Sequence, residues 1–262
     1  MPSIELAYQD SIAVLRLNRP EVRNAIDDAM RIELIAALDE VSRNTSVRAL
    51  VLTGNGKGFC SGGDIKGMQQ RLASPAGEVA INGWRRQQRT HHFISSLHDL
   101  AKPTIAAVNG AATGLGCDLA LACDFIVASK DAMLAMTYVQ RGLIPDGGGM
   151  YFLPRRVGLV RAKELIFSGR RVLPEEALAI GMIDRIAEPE SLVADAVTWA
   201  QEMSRGPLPA LALAKTILNE TFEHSAGDVF QMGSQAQAIC YTTSEHQASV
   251  AAFLDKSKGE AK

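Results

Sequence analysis

The residues with the most chemical capacity in this sequence lie in three glycine-bearing turns. The first is Gly58-Phe59-Cys60-Ser61-Gly62-Gly63-Asp64-Ile65-Lys66, which follows an apolar run and leads toward a helix. Adjacent glycines let backbone approach a ligand closely and present free N–H groups. The same glycines also serve a plain left-handed turn. The second, Asn109-Gly110-Ala111-Ala112-Thr113-Gly114-Leu115-Gly116-Cys117-Asp118, follows another apolar run and opens a helix. A helix start carries unpaired N–H groups and partial positive charge, which suit an oxyanion. Asp118 falls in its first turn, where a carboxylate also gains simply from the dipole. The third is Leu143-Ile144-Pro145-Asp146-Gly147-Gly148-Gly149. Three glycines are poor helix formers, so they fit a backbone passing close to a ligand or another chain. Asp146 reads either as an N-cap or as a carboxylate aimed into a site.

Other chemistries find little support. The glycine spacing is not G-x-G-x-x-G, and no G-K-[ST] loop is present, so nucleotide readings are weak. No G-x-S-x-G marks a serine nucleophile. Cys60 and Cys117 sit inside motifs without a neighbouring base. The four cysteines form no C-x-x-C pair, and the five histidines have no ligand spacing with them, so no metal site is expected. His91 and His92 lie on one expected helix and read as one exposed and one packed. Trp84 and Met68 fit either a pocket wall or ordinary packing.

The elements that must position these turns alternate strand and helix. Ile12–Leu17, Ala49–Thr53, Thr104–Val108 and Asp124–Ala128 are short apolar runs, typical of strands covered on both faces. Asn18-Arg19-Pro20 ends the first, leaving residues 18–24 as a loop. Asp27 caps an amphipathic helix reaching Val41, with Met30, Leu34, Leu38 and Val41 on one face. Residues 74–82 read as a loop rich in Ser, Pro, Gly and Ala, with a helix from Gly83 to Leu100. Asp124 stands at a strand start and reads as structural. From about residue 161 the pattern is helical, over 161–168, 174–180, 190–204, 207–220 and 226–256. Pro207 suits a first helical turn. The residues after 256 read as a frayed charged tail. Such alternation implies βαβ units with parallel pairing.

Composition narrows the partners. With 27 basic and 29 acidic residues, the net charge of −2 gives no reason to expect binding to nucleic acid or to an anionic membrane surface. No apolar run approaches the length of a membrane span. Few cysteines and no signal-peptide pattern suggest a reducing compartment, the cytoplasm.

As a set, GKGFCSGGDIK, KPTIAAVNGAATGLGCDLALACD and RGLIPDGGGMYFLPRRVG resemble, in order and spacing, the enoyl-CoA hydratase/isomerase family, the crotonases. The resemblance runs from about Ile12 to Ile186. It implies an α/β fold, a crotonase-like spiral of ββα units over residues 1–200 and a C-terminal helical trimerisation region over 201–262. It implies an acyl-CoA substrate, a homotrimer or homohexamer, and no separate cofactor, since coenzyme A is part of the substrate. By motif position the oxyanion donors are the N–H groups of Gly63 and Leu115, the latter replacing a glycine common in relatives. Removing a proton beside a thioester, or adding water to its enoyl form, puts enolate charge on oxygen. One donor of such a hole is worth about 3–4 kcal/mol. Arg23, Ser61, Asp64, Ile65 and Lys66 fall at positions near coenzyme A. Phe253 and Lys256, on the C-terminal helix, are placed to complete a neighbouring subunit's site.

The acid–base positions depart from the hydratase pattern of two glutamates. The first matches Asp118, a shorter carboxylate, and the second matches Tyr138. Asp146 stands where some isomerase and dehalogenase relatives carry a catalytic acid. Asp146 is therefore the first choice for general acid/base, Asp118 the second, and Tyr138 a hydrogen-bond donor or wall. The implied function is enoyl-CoA hydration or isomerisation through a thioester enolate. The alternative is a non-catalytic acyl-CoA-binding protein that keeps the fold.

Overall fold

The computed structural model of this chain describes residues 2–259. Strands β1 (Ile4–Gln9), β2 (Ile12–Leu17) and β3 (Ala49–Gly54) begin the chain, with helix α1 (Asp28–Arg43) between β2 and β3. Asp27 caps α1, its carboxylate accepting from the Met30 N–H at 2.8 Å. Then come β4 (Gly58–Cys60), α2 (Ile65–Leu72), α3 (Ala76–His98), β5 (Thr104–Val108), β6 (Ala111–Thr113) and α4 (Leu115–Leu121). The chain continues through β7 (Phe125–Ser129), β8 (Met133–Ala135), a 3-10 turn at Thr137–Arg141, α5 (Gly149–Val157), α6 (Leu159–Ser168), β9 (Arg171–Val172), α7 (Pro174–Ala179) and β10 (Arg185–Ala187). Helices α8 (Leu192–Met203), α9 (Leu208–Glu220), α10 (Ala226–Tyr241) and α11 (Ser244–Gly259) complete it.

Two sheets share the strands. The larger runs β1-β2-β3-β5-β7-β10, antiparallel only at β1–β2. The smaller runs β4-β6-β8-β9, with β4, β6 and β8 parallel. Each pair β3–β4, β5–β6 and β7–β8 thus places one strand in each sheet before the chain turns into helix. This is the ββα spiral expected from the motifs.

Alternation explains why the central strands read as unbroken apolar runs. Ile12, Val14, Ala49, Val51, Ile105, Ala107 and Val127 pack on one face against Leu192, Ala196 and Trp199 of α8. Their neighbours Ala13, Leu15, Leu50, Leu52, Ala106 and Ile126 join the main core on the other face, with Met30 and Leu34 of α1 and Phe93 and Leu97 of α3. Both faces are dry, so no polar alternation remains.

Two expectations need correction. Residues 76–82 are helical, because α3 begins at Ala76. Pro75 sits at its N-cap and Gly77 falls in the first turn, where neither disrupts an internal hydrogen bond. The segment 226–256 is two helices. The break falls at Thr242–Thr243, where the Thr243 hydroxyl accepts from the His246 N–H at 3.2 Å and starts α11. The triple glycine lets backbone pass close to a buried carboxylate: side chains at Gly147 and Gly149 would lie 2.6 and 2.3 Å from the Asp118 oxygens, and Gly148, at φ +101°, caps α5. Asp124 is a structural anchor, its carboxylate accepting from the Thr104 N–H and from Lys215 Nζ at 2.8 Å each. No helix among the described residues is long and apolar enough to cross a membrane.

Candidate active site

The turn into β4, and β4 itself, are held by a buried asparagine. Asn24 takes a left-handed conformation at φ +56°, which its short polar side chain tolerates. Its Nδ2 donates to the carbonyls of Asn55, Gly58 and Phe59. Gly62 follows at φ +97°, and a side chain there would lie 2.8 Å from the Thr113 carbonyl. Ile26 donates to the Gly62 carbonyl and accepts from the Asp64 N–H, at 2.8 and 3.1 Å. In that parallel bridge the residue between, Gly63, turns its own N–H away from Ile26.

Leu115 is the first residue of α4, so its N–H has no acceptor inside the helix. Among the described residues, no acceptor faces the N–H of Gly63 or of Leu115. Gly116 lets α4 start hard against β4: a side chain there would lie 2.1 Å from the Cys60 carbonyl oxygen.

Gly63 and Leu115 line a cavity of about 90 Å³ that also takes in Tyr138 and Asp146. Met68, Leu143 and Ile144 give it an apolar wall, and α3 adds Arg86, Gln87 and Thr90. A second cavity of about 350 Å³ shares Gly63, Leu115 and Tyr138 and extends past Arg23, Ser61, Ile65, Arg141 and Arg171. Its charged lining is wholly basic.

The two aspartates occupy different layers. Asp146 borders the small cavity and is half-buried. Burial pushes its carboxyl above the usual carboxylate range, against the opposing pull of the Arg86 and His91 charges and a hydrogen bond from Gln87. Asp118 is fully buried behind that wall. Its Oδ2 accepts from the Tyr138 hydroxyl at 2.5 Å, and its Oδ1 has no partner among the described residues. Burial, then the Asp146 charge, pushes Asp118 up to about 7. The N–H groups of Gly147 and Gly149 pull the other way without closing a hydrogen bond on Oδ1. Burial and the Asp118 charge raise Tyr138, so the phenol keeps its proton.

Residues 7–261 match the family described as enoyl-CoA hydratase/isomerase. The chain belongs to this family. A 1,2-epoxyphenylacetyl-CoA isomerase of Escherichia coli is 33% identical, aligned over 95% of this chain and 94% of the relative. A crotonyl-CoA hydratase of Syntrophomonas wolfei is 34% identical over 98% and 96%. The crystal structure of an enoyl-CoA hydratase from Bacillus anthracis superposes with a TM-score of 0.89 at 30% identity, covering 97% of this chain and 96% of that one. The protein is thus a crotonase-family enzyme with the family's fold.

This crotonase brings Gly63, Leu115, Tyr138 and Asp146 to one cavity, with Asp118 behind Tyr138. Arg23, Ser61 and Ile65 line the adjoining cavity. Asp64 and Lys66 face a different cleft. There Asp64 pairs with Arg19 at 3.2 Å and caps α2 through the Lys66 N–H. Although burial opposes it, Arg19 and these N–H groups hold the Asp64 carboxyl below its usual range. Phe253 is 73% exposed on α11, and the Lys256 side chain lies outside the described residues. His91 and His92 are both exposed, so neither packs. His91 instead meets the Asp146 carbonyl through Nε2 at 3.0 Å, tying α3 to the 143–149 loop. Trp84 is 60% exposed and Met68 lines both cavities. Burial pushes the Cys60 thiol up to about 12 and Cys117 higher still, which disarms both as nucleophiles.

Arg86 and Gln87 of the small cavity, and Arg141 and Arg171 of the larger one, are residues sequence reasoning missed. For Arg86 a pattern existed: the α3 face that reads apolar at Phe93 and Leu97 turns polar at Thr90 and Arg86, at helical spacing.

Proposed function

We propose that this crotonase acts on an unsaturated acyl-CoA, hydrating or shifting its double bond through a thioester enolate. One observation carries the reading: two backbone N–H groups without acceptors, on Gly63 and Leu115, border the same cavity as the Asp146 carboxylate. The thioester oxygen sits at the two donors, which stabilise the charge it gains. In the double-bond shift Asp146 takes the proton from the α-carbon of a 3-enoyl thioester, the double bond migrates through the dienolate, and Asp146 returns the proton to the γ-carbon. A carboxyl raised by burial holds a proton more readily than an ordinary aspartate, which suits a group that must take and return one. Tyr138, kept neutral by burial and by the Asp118 charge, forms part of the wall.

One feature favours isomerisation over hydration. A hydratase water held between two carboxylates needs both at the cavity, and among the described residues only Asp146 borders it. A single acid that lifts a proton from one carbon and returns it to another needs no such water.

The larger cavity, bordered by Arg23, Arg141 and Arg171, suits the phosphates of coenzyme A. We also infer that the chain works as a homotrimer or homohexamer. Helices α9 and α10 bury none of their own residues, and Phe222, Phe230 and Phe253 stand 74%, 75% and 73% exposed. A neighbouring copy covers these rings and brings Phe253 and Lys256 toward the adjacent coenzyme A.

The test is turnover of crotonyl-CoA and of a 3-enoyl-CoA, with absorbance and product mass recorded together. The proposal expects conversion of at least one, with 3-enoyl to 2-enoyl conversion the faster. Binding of both without conversion would favour the non-catalytic alternative.

A further inference from the structure

Arg86 is a cation in the wall of the small cavity with no anion closed upon it. The other polar groups that α3 places there are engaged. The Thr90 hydroxyl accepts from Arg31 Nε at 3.1 Å, and Gln87 lowers the Asp146 carboxyl against its burial. Arg86 Nε is buried and donates to no acceptor among the described residues. Asp146 feels the charge of Arg86 but forms no ion pair with it. On its far side Arg86 borders a cleft holding Asp27, Asp28 and Asp64. Those acids are taken: Asp27 and Asp64 pair with Arg19, and Asp28 pairs with Arg31. The guanidinium leans over the oxyanion turn, with Nη1 4.0 Å from where a Gly63 side chain would begin.

A cavity built for a plain alkyl chain gains nothing from such a group. Arg86 is only partly buried, but its Nε–H is shut away without an acceptor among the described residues, and a buried unpaired donor is unfavourable. The planar fork matches a carboxylate bidentately. The facing wall of Met68, Leu115, Leu143 and Ile144 is apolar, so it suits the hydrocarbon part of a chain rather than a second charge.

We propose that Arg86 selects acyl groups that themselves carry a carboxylate, gripping it while the thioester oxygen sits at Gly63 and Leu115. This inference rests on the acyl-CoA reading of the same site, and names the substrate class within it. Arg86 is then a specificity-determining residue, and the enzyme's substrates are unsaturated dicarboxylic acyl thioesters.

Binding of saturated, unreactive thioesters tests this without requiring turnover. Glutaryl-CoA and its neutral isostere 5-methylhexanoyl-CoA are titrated into the full-length protein by calorimetry at one ionic strength. The wild type is expected to bind glutaryl-CoA about 10- to 100-fold tighter, as one charge-assisted pair is worth. Arg86→Met should abolish that ratio and Arg86→Lys, which keeps the charge but loses the fork, should retain part of it. Equal binding of the two thioesters by the wild type overturns the inference and leaves the acyl-CoA reading standing. So does an Arg86→Met protein with an unchanged ratio. Binding of neither thioester overturns both. Should Arg86→Met fail to fold, the wild-type ratio and Arg86→Lys still decide.

Discussion

Asp118 is the carboxyl that this fold has taken furthest from water, and its proton is linked to stability. Its value of about 7 lies well above the usual aspartate range, with burial the main cause. Between pH ~4, where the unfolded carboxyl releases its proton, and pH 7, the folded chain holds a proton the unfolded chain has lost. Stability from this group therefore falls as pH rises through that window. The raised Asp146 carboxyl acts in the same direction. His98, lowered mainly by burial, acts in the opposite one, since its unfolded form takes up a proton first on acidification. Urea midpoints for wild type and Asp118→Asn between pH 5 and 8 separate these contributions. The fall with rising pH should be shallower in Asp118→Asn, because the amide keeps the Tyr138 contact without the titration. Parallel slopes in the two proteins would remove Asp118 from the account.

At the scale of elements, the site depends on how closely α4 meets β4. Gly116→Ala drives a methyl into the Cys60 carbonyl, backbone against backbone, so α4 must shift and carry the Leu115 N–H with it. We expect a loss of about 1–3 kcal/mol of stability, as for other overpacked contacts. Turnover should fall further than that loss explains. Gly83→Ala is the contrasting case. It lies inside α3 with open space around it, so it should stabilise by about 0.5–1 kcal/mol in the same melts. The elements legible in the sequence were those whose burial leaves a plain pattern. Central strands covered on both faces read as apolar runs, and Asp27 announced the start of α1. β1 was not legible, because Glu5 and the Ala7–Gln9 end stay exposed on this edge strand. The start of α3 was lost because Ser, Pro and Gly mark a loop and an N-terminal helical turn alike. The three motif turns named Gly63, Leu115 and Asp146, which line one cavity. The motif resemblance placed Asp118 and Asp146 side by side as rivals, whereas packing puts one behind Tyr138 and the other at the cavity. Arg86 stayed hidden because a lone arginine on a helix reads as solvated until the cavity beneath it is known.

The whole molecule leaves its C-terminal helices with large apolar side chains facing outward. Leu218, Phe230, Tyr241 and Phe253 on α9, α10 and α11, and Phe222 in the turn between α9 and α10, are all more than half exposed. So much exposed apolar surface on a chain with a net charge of only −2 favours self-association. Sedimentation equilibrium should give about three or six times the mass of the chain. Phe230→Asp should shift it toward the monomer and weaken acyl-CoA binding if the neighbouring copy supplies part of that site. A monomeric wild type at micromolar concentration would contradict the assembly.

The central claim is that Asp146 exchanges a proton at the carbon beside the thioester while Gly63 and Leu115 hold the enolate oxygen. Deuterium uptake at that carbon, followed by mass spectrometry of an unsaturated acyl-CoA in D2O, tests it most directly. The account predicts rapid uptake with the wild type and a loss of about 10²–10⁴-fold with Asp146→Asn, while thioester binding persists. Equal uptake by the two proteins would contradict it.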